Sequence, residues 1–422
     1  MKIIVKNAHV VDPFTGEEKI RDIFVEDEVF SEPFSETSAD RIIEANMSVV
    51  TPGFIDVHAH LRDPGGDAKE DIMSGTRAAA AGGFVAVFSM PNTMPISDYP
   101  SILQYQIQRA NNKGFCEVIP VSAATIGEVG GDRPSYREMR ESGAVAVSDD
   151  GRVIASSAIL RVVMEEASRA GLMVIDHCEE VSLSAGACMH EGKVSRKLGV
   201  KGMPCLAESI IVARDLLMSE FLDIPIHLCH ISCKKSVELI RFAKSKGIKV
   251  TADTCPHYFS LTDKAVEKFN ANAKMYPPLR SEEDREAIIE AVIDGTIDMI
   301  STDHAPHHEK SKTCGLEKAA NGIIGFETAF TVSNTVLCEE NGMPLMELFD
   351  RLSYRPSFVF GLGDRSISEG NLANFTILDT DASVRFDRDK MLSRSKNTPF
   401  DGWKGQGKVL LTMWRGKITH ED

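Results

Sequence analysis

The sequence predicts an α/β fold, a (β/α)8 TIM barrel carrying a small β-sandwich domain built from both chain termini. Three observations predict it. Eight apolar, strand-like runs alternate with helical patterns through the middle of the chain. Most of these runs are near-continuously apolar, as strands buried on both faces must be. Polar, chemically able residues collect at their C-terminal ends, where the mouth of such a barrel lies.

The first fifty residues read as short strands. KIIVKNAHVVD (2–12), RDIFVEDEVF (21–30) and the run up to SVVTPG (48–53) mix β-branched and aromatic residues with turn formers. The barrel strands follow as FIDVHAH (54–60), FVAVFSMP (84–91), CEVIPVSA (116–123) and AVAVSDDG (144–151). LMVIDHCE (172–179), IPIHLCHIS (224–232), IKVTADTCPH (248–257) and DMISTDHAP (298–306) complete the eight. Helical patterns fall between them, among them residues 69–81, 156–170, 207–220, 234–247 and 282–295. Gly commonly follows such a segment, as a helix C-cap requires. ANFTILDTD (373–381) and GKVLLTMWRGKI (407–418) then return to the β-rich character of the start. The expected division is 1–51 and 369–422 for the two parts of the small domain, and 52–368 for the barrel. An open doubly wound sheet is the rival, but no GxGxxG or Walker loop follows the first strand.

Composition bounds the function. With 43% hydrophobic and 26% charged residues the chain reads as a soluble globular protein, and its net charge of -15 disfavours nucleic acid or an anionic membrane as partner. No run of 18 apolar residues suggests a membrane span, and the N-terminus lacks a signal-peptide pattern. Nine cysteines without a CxxC pair read as reduced thiols, so a cytoplasmic location is expected.

The strand ends carry the chemistry. His58 and His60, spaced i, i+2 on a strand, leave the same face and can grip one divalent metal. Asp150, His177, His230 and Asp303 arrive at the ends of other strands. This N and O donor set suits zinc, with manganese or cobalt as substitutes. Six donors exceed what one catalytic zinc uses but serve two if a carboxylate, for which Asp150 is the candidate, bridges them. Such a pair would hold a hydroxide and polarise a carbonyl, with Asp303 taking the proton and passing it to a leaving nitrogen.

DVHAHLRDPG (56–65) and STDHAPHHEKSK (301–312) resemble the two signatures of dihydroorotases in the amidohydrolase superfamily. MPNT (90–93), SDDG (148–151), DHCE (176–179), CHIS (229–232), PPLR (277–280) and GFET (325–328) match in order. At the fourth strand, where hydantoinases and allantoinases place a carboxylated lysine, this chain has Asp149 and Asp150. That is similar to the bacterial class I dihydroorotases, whose pattern favours Asp150 as bridge. The resemblance implies up to two Zn2+ per chain, with His58 and His60 on one, His177 and His230 on the other, and Asp303 as catalytic acid/base. It implies substrate contacts from His60, Arg62, Asn92 and His307, and from the backbone at Asn321 and Gly322. Arg62 would pair with a substrate carboxylate. His257 would support the site from outside the ligand set. Tyr276 stands where the family usually has Asn, and Asn321 where an aromatic residue is common; both fall on the substrate-ring side.

The activity implied is zinc-dependent, reversible cyclisation of N-carbamoyl-L-aspartate to L-dihydroorotate in pyrimidine synthesis. The alternatives are another cyclic-ureide amidohydrolase, such as a hydantoinase, and a non-catalytic scaffold for aspartate transcarbamoylase. A small anionic substrate is expected, and a homodimer or a transcarbamoylase complex stays open. The long connection from His307 to Gly325 suggests a lid.

Overall fold

A computed structural model describes residues 1–422, the side chains of residues 268 and 269 excepted. Eight parallel strands form the barrel. Phe54–Ala59, Phe84–Ser89 and Glu117–Pro120 pair in order, and the third strand resumes at Ser122–Ala123. From there Ala146–Ser148, Met173–Asp176, Ile226–Leu228, Val250–Thr254 and Met299–Ile300 pair in turn. Closure is made beyond the eighth strand, where Ala59 bridges His304 in parallel and the His60 N–H donates to the His304 carbonyl at 2.9 Å.

The apolar runs behave as their composition requires. Every residue of Phe54–Ala59 and of Phe84–Ser89 is buried, one face inside the barrel and the other under the helices. Ile55, Val57, Phe88, Ile175 and Met299 belong to the interior cluster, against which Phe360 packs with its ring 4.9 Å from that of Phe88. The helices present one apolar stripe each. In Ser157–Arg169 the buried residues Leu160, Val163, Met164 and Ala167 recur at i, i+3, i+4 and i+7, and Ser156 caps the first turn. Ile72–Ala81 starts at an Asp71–Ser74 capping box and ends at Gly82.

Both termini enter one eight-stranded sheet. Lys2–Asp12 pairs with Glu17–Glu26, Arg41–Glu44 and Val49–Pro52, and Val49–Pro52 pairs in turn with Phe375–Arg385 near the other end of the chain. Lys404–Trp414, Lys417–Glu421 and the short Val29–Phe30, which pairs with Glu17–Glu26, complete it. Ile3, Val5, Val25, Phe375 and Met413 give this sheet an apolar cluster of its own. No helix among the described residues is long and apolar enough to cross a membrane.

Candidate metal centre and active site

The strand ends bring Asp150 into the middle of four imidazoles. Its Oδ1 lies 3.3 Å from His58 Nε2, 3.5 Å from His177 Nδ1 and 3.6 Å from His230 Nε2, and its Oδ2 lies 3.4 Å from His60 Nε2. Asp303 stands on the first-strand side, with Oδ1 3.1 Å from His60 Nε2 and 3.7 Å from His58 Nε2. All six residues are buried. Two of these positions need an unusual backbone. His230 has φ 39° and Asp303 φ 43°, and Arg62 on the first-strand exit has φ 59°. Left-handed residues other than Gly persist only where the surroundings hold them, and they gather at working sites.

Neighbouring groups fix which ring nitrogens face inward. His60 Nδ1 lies 3.0 Å from Asn92 Oδ1 and so donates there, leaving the Nε2 lone pair directed at the carboxylates. His177 Nε2 donates to Glu179 at 3.0 Å, which turns the Nδ1 lone pair inward, 3.0 Å from His230 Nε2. The His230 N–H donates to Asp253 and the His58 N–H to Asp56, whose other oxygen accepts from Thr302. His58 Nδ1 and Nε2 and His230 Nδ1 have no hydrogen-bond partner among the described residues. Lone pairs of buried imidazoles and carboxylates converging this closely repel unless a cation lies between them. Two donor groups of metal-binding size, His58–His60–Asp150 and Asp150–His177–His230, share Asp150, and a third joins His58, His230 and Asp303. The donor set fits divalent metal.

Charge follows the same geometry. Burial opposes ionisation of Asp150, yet the His58 charge and hydrogen bonds with His177 and His230 hold its carboxyl well below the usual range. Burial likewise opposes a proton on His58, but Asp150 and Asp303 push its pKa up to about 9, which marks the position as one that favours positive charge. Burial pulls Arg62 down to about 10, which leaves it cationic at neutral pH.

A cavity of ≈ 230 Å³ opens beside the cluster. His60, Arg62, Asn92, Tyr276, His307 and Asn321 line it, together with Asp150, His177, His230 and Asp303. Gly322, expected as a backbone contact, does not line it; its N–H donates to Lys274 O and its carbonyl accepts from Lys312 and Asn397. What Gly322 provides is clearance, since a Cβ there would stand 2.6 Å from His307 Cδ2, at φ +152°. The Tyr276 hydroxyl donates to Ser184 O at 3.2 Å, so its ring is what faces the cavity. Asn92 has two contacts to offer, His60 and the cavity. Among the described residues the Arg62 side chain pairs with no carboxylate and donates to Pro306 O alone, at 3.4 Å. Asp149 points away and accepts from the N–H and hydroxyl of Thr125. His257 is buried outside the cavity lining, its Nε2 without a partner among the described residues and its pKa pulled down to about 3 by burial.

Sequence reasoning missed Glu179, Asp253 and Asn397. The first two carry a readable signal, a carboxylate beside a strand-end histidine or at the end of the seventh strand. Asn397 carries none: it reaches in from the C-terminal segment to accept the His307 N–H at 2.9 Å and to bind Ala305 O and Gly322 O. The segment expected to act as a lid is pinned on its return limb. Lys312 Nζ donates to Lys274 O, Ala320 O and Gly322 O, and Lys274 Nζ to Glu317 O and Ala319 O.

Known proteins resemble this chain in sequence and fold. The profile of the Dihydro-orotase-like family matches residues 47–236. The chain is 44% identical to a dihydroorotase of Geobacter metallireducens over 100% of both proteins. It is 43% identical to one of Acetivibrio thermocellus, over 99% of this chain and 98% of that protein. An L-hydantoinase (dihydropyrimidinase) from Arthrobacter aurescens superposes with a TM-score of 0.89 at 25% identity, covering 99% of this chain and 96% of the other. Full-length identity at this level, on a closed parallel barrel with a metal-type donor cluster at its mouth, shows that the chain belongs to the dihydroorotase family, hydrolases of carbon–nitrogen bonds in cyclic amides.

Proposed function

We propose that the protein catalyses the reversible cyclisation of N-carbamoyl-L-aspartate to L-dihydroorotate, the ring-closing direction serving pyrimidine synthesis. The observation that carries this reading is Asp150 shared between two donor groups, with Asp303 beside it and the cationic Arg62 across the same cavity. His58, His60, Asp150, His177, His230 and Asp303 would hold up to two zinc ions, Asp150 bridging. Zinc there would supply Lewis-acid polarisation of the ring carbonyl and a water acidic enough to react at neutral pH.

The remaining work falls to side chains. Arg62, which has no carboxylate partner among the described residues, binds the substrate carboxylate and sets the ring against Asp303. Asn92 holds His60 in its tautomer and offers its amide N–H to the same carboxylate. In hydrolysis Asp303 accepts the proton of the attacking water through a carboxylate oxygen and delivers it to the departing ring nitrogen; in cyclisation the proton moves the other way. His307, whose pKa burial and the Arg62 charge drive far down, contacts substrate as a neutral imidazole. The Tyr276 ring and the Asn321 backbone close the side on which the substrate ring lies. The same reading divides the chain at 52 and 368 and takes the terminal sheet as a two-layered sandwich, supported by its separate apolar cluster.

A hydantoinase-like reading would call for a bridging lysine, and no lysine lines the cavity among the described residues. A bare scaffold would have no use for six converging donors. The test is turnover of the zinc-loaded protein on dihydroorotate, hydantoin and dihydrouracil. Dihydroorotate should be preferred; preference for either neutral ring would overturn the assignment.

A further inference from the structure

Away from the mouth, the first turns of three helices converge on two cysteines. Cys205 directly precedes the helix Leu206–Leu222, Cys233 precedes Lys234–Ser245, and Asp284 lies in the first turn of Glu282–Ile293. Helix N-termini present unpaired N–H groups and the positive end of the dipole, which favours an anion. The buried Arg280 adds a full positive charge, donating to Ser232 Oγ at 3.0 Å and lying 3.5 Å from Glu208. One ring nitrogen of His190, the Cys205 sulfur and one Asp284 oxygen lie within 4.8 Å of one another. His190 is 8% exposed, and its Nδ1 has no partner among the described residues.

The two sulfurs differ in access. Cys205 is partly exposed, while Cys233 is buried behind it with its thiol 3.8 Å from the Cys205 carbonyl oxygen. A hydrogen bond from Cys233, against the cost of burial, pulls the Cys205 thiol down to about 6, with help from His190 and Arg280. Asp284, whose carboxylate oxygens lie 3.8 Å from the Cys205 sulfur, opposes this. A partly exposed thiol of lowered pKa, beside a second cysteine and the Arg280 charge, is the arrangement that reacts with oxidants.

We propose that Cys205 is an oxidant-sensitive thiol, and that Cys233 resolves its oxidised form into an intramolecular disulfide that lowers the activity. With a hydroperoxide as oxidant, the Cys205 sulfur attacks the terminal oxygen. The O–O bond breaks, the sulfenic acid forms, and the departing oxygen leaves as water or alcohol after taking a proton. Cys233 then attacks the sulfenic sulfur; the S–S bond forms, the S–O bond breaks, and hydroxide leaves as water with the Cys233 proton. Two thiols and one hydroperoxide thus give one disulfide, one water and one further water or alcohol. The effect on activity follows from position. Cys233 lies three residues after His230, and the N–H groups of Ser232 and Cys233 both donate to Glu208 at 3.2 Å. Drawing Cys233 onto Cys205 displaces the segment that holds His230 against Asp150.

The experiment treats the metal-loaded, full-length protein with stoichiometric hydrogen peroxide, then maps peptides without reduction and assays dihydroorotate turnover. The expected result is a Cys205–Cys233 linked peptide, with activity lost in step and restored by dithiothreitol. Cys205→Ser should keep its activity under the same treatment, and Cys233→Ser should leave a sulfenic acid on Cys205 that dimedone captures. The exposed Cys314 serves as the internal reference thiol. Absence of the linked peptide, or equal loss of activity in Cys205→Ser, would overturn the proposal. So would protection of Cys205 that a chelator removes, since that would make His190, Cys205 and Asp284 a metal site.

Discussion

Asp149 and Asp150 are the same residue type one bond apart, and their surroundings give them opposite tasks. Asp149 is tied to Thr125 by two hydrogen bonds, at 2.8 and 2.6 Å, while Asp150 faces four imidazoles. The motif SDDG alone left that choice open, because residue type carries no direction; the strand register does. Asp149→Asn should mainly cost stability, about 1–3 kcal/mol for a disturbed buried pair, with metal content unchanged. Asp150→Asn should mainly cost metal and activity with little change in Tm of the metal-free protein, which melting and metal analysis on both variants will check. At Arg62 the prediction concerns substrate charge. Arg62→Ala should lower kcat/KM for dihydroorotate by about 1.5–3 kcal/mol, the worth of one charge-assisted contact, and should leave a neutral cyclic amide little affected. Equal losses on both substrates would remove the carboxylate role. Glu128 gives a pH test. Burial, with Asp149 and Asp150 adding repulsion, pushes its carboxyl from 4.5 up to about 8. The folded state therefore keeps a proton that the unfolded chain has lost, and stability from this group declines as pH rises from about 4.5 to about 8. Glu128→Gln should raise Tm more at pH 8 than at pH 5, as calorimetry at the two values can show.

At the scale of elements, all eight barrel strands are legible because burial on both faces writes an unbroken apolar run. Their ends are less so. The run 224–232 becomes a strand only over Ile226–Leu228, since beyond it the backbone turns through the left-handed His230 to aim the imidazole at the mouth. The connection 307–325 shows what periodicity cannot reveal. Its length suggests a lid, but two lysines, 6% and 4% exposed at Lys312 and Lys274, spend their ammonium protons on backbone carbonyls and fix its return limb. Lys312→Met should leave those carbonyls unpaired at a cost of about 1–3 kcal/mol and speed hydrogen exchange across 317–322. KM should rise more than kcat falls, because Asn321 and His307 lose their support while Asp303 does not. Unchanged exchange in that variant would show that the clamp is idle.

Across the whole molecule, the barrel had to close for the site to exist, since residues from His58 to Asp303 meet only when the eighth strand returns to the first. The parallel contact of His304 with Ala59 makes that closure, and it places the two signature motifs side by side. The pairing of Val49–Pro52 with Phe375–Arg385 joins the chain ends in one sheet, as their shared β-rich composition suggested. What composition could not supply was Asn397, whose contact with His307 spans 90 residues of sequence and depends on how the C-terminal segment crosses the mouth. On the proposed reading two metal ions share Asp150, and turnover depends on them. That reading is tested most directly by elemental analysis of the purified protein, titrated with chelator and zinc while dihydroorotate hydrolysis is followed. Activity should rise with bound zinc to no more than two ions per chain, with no recovery in Asp150→Asn. Full turnover by protein stripped of divalent metal would contradict it.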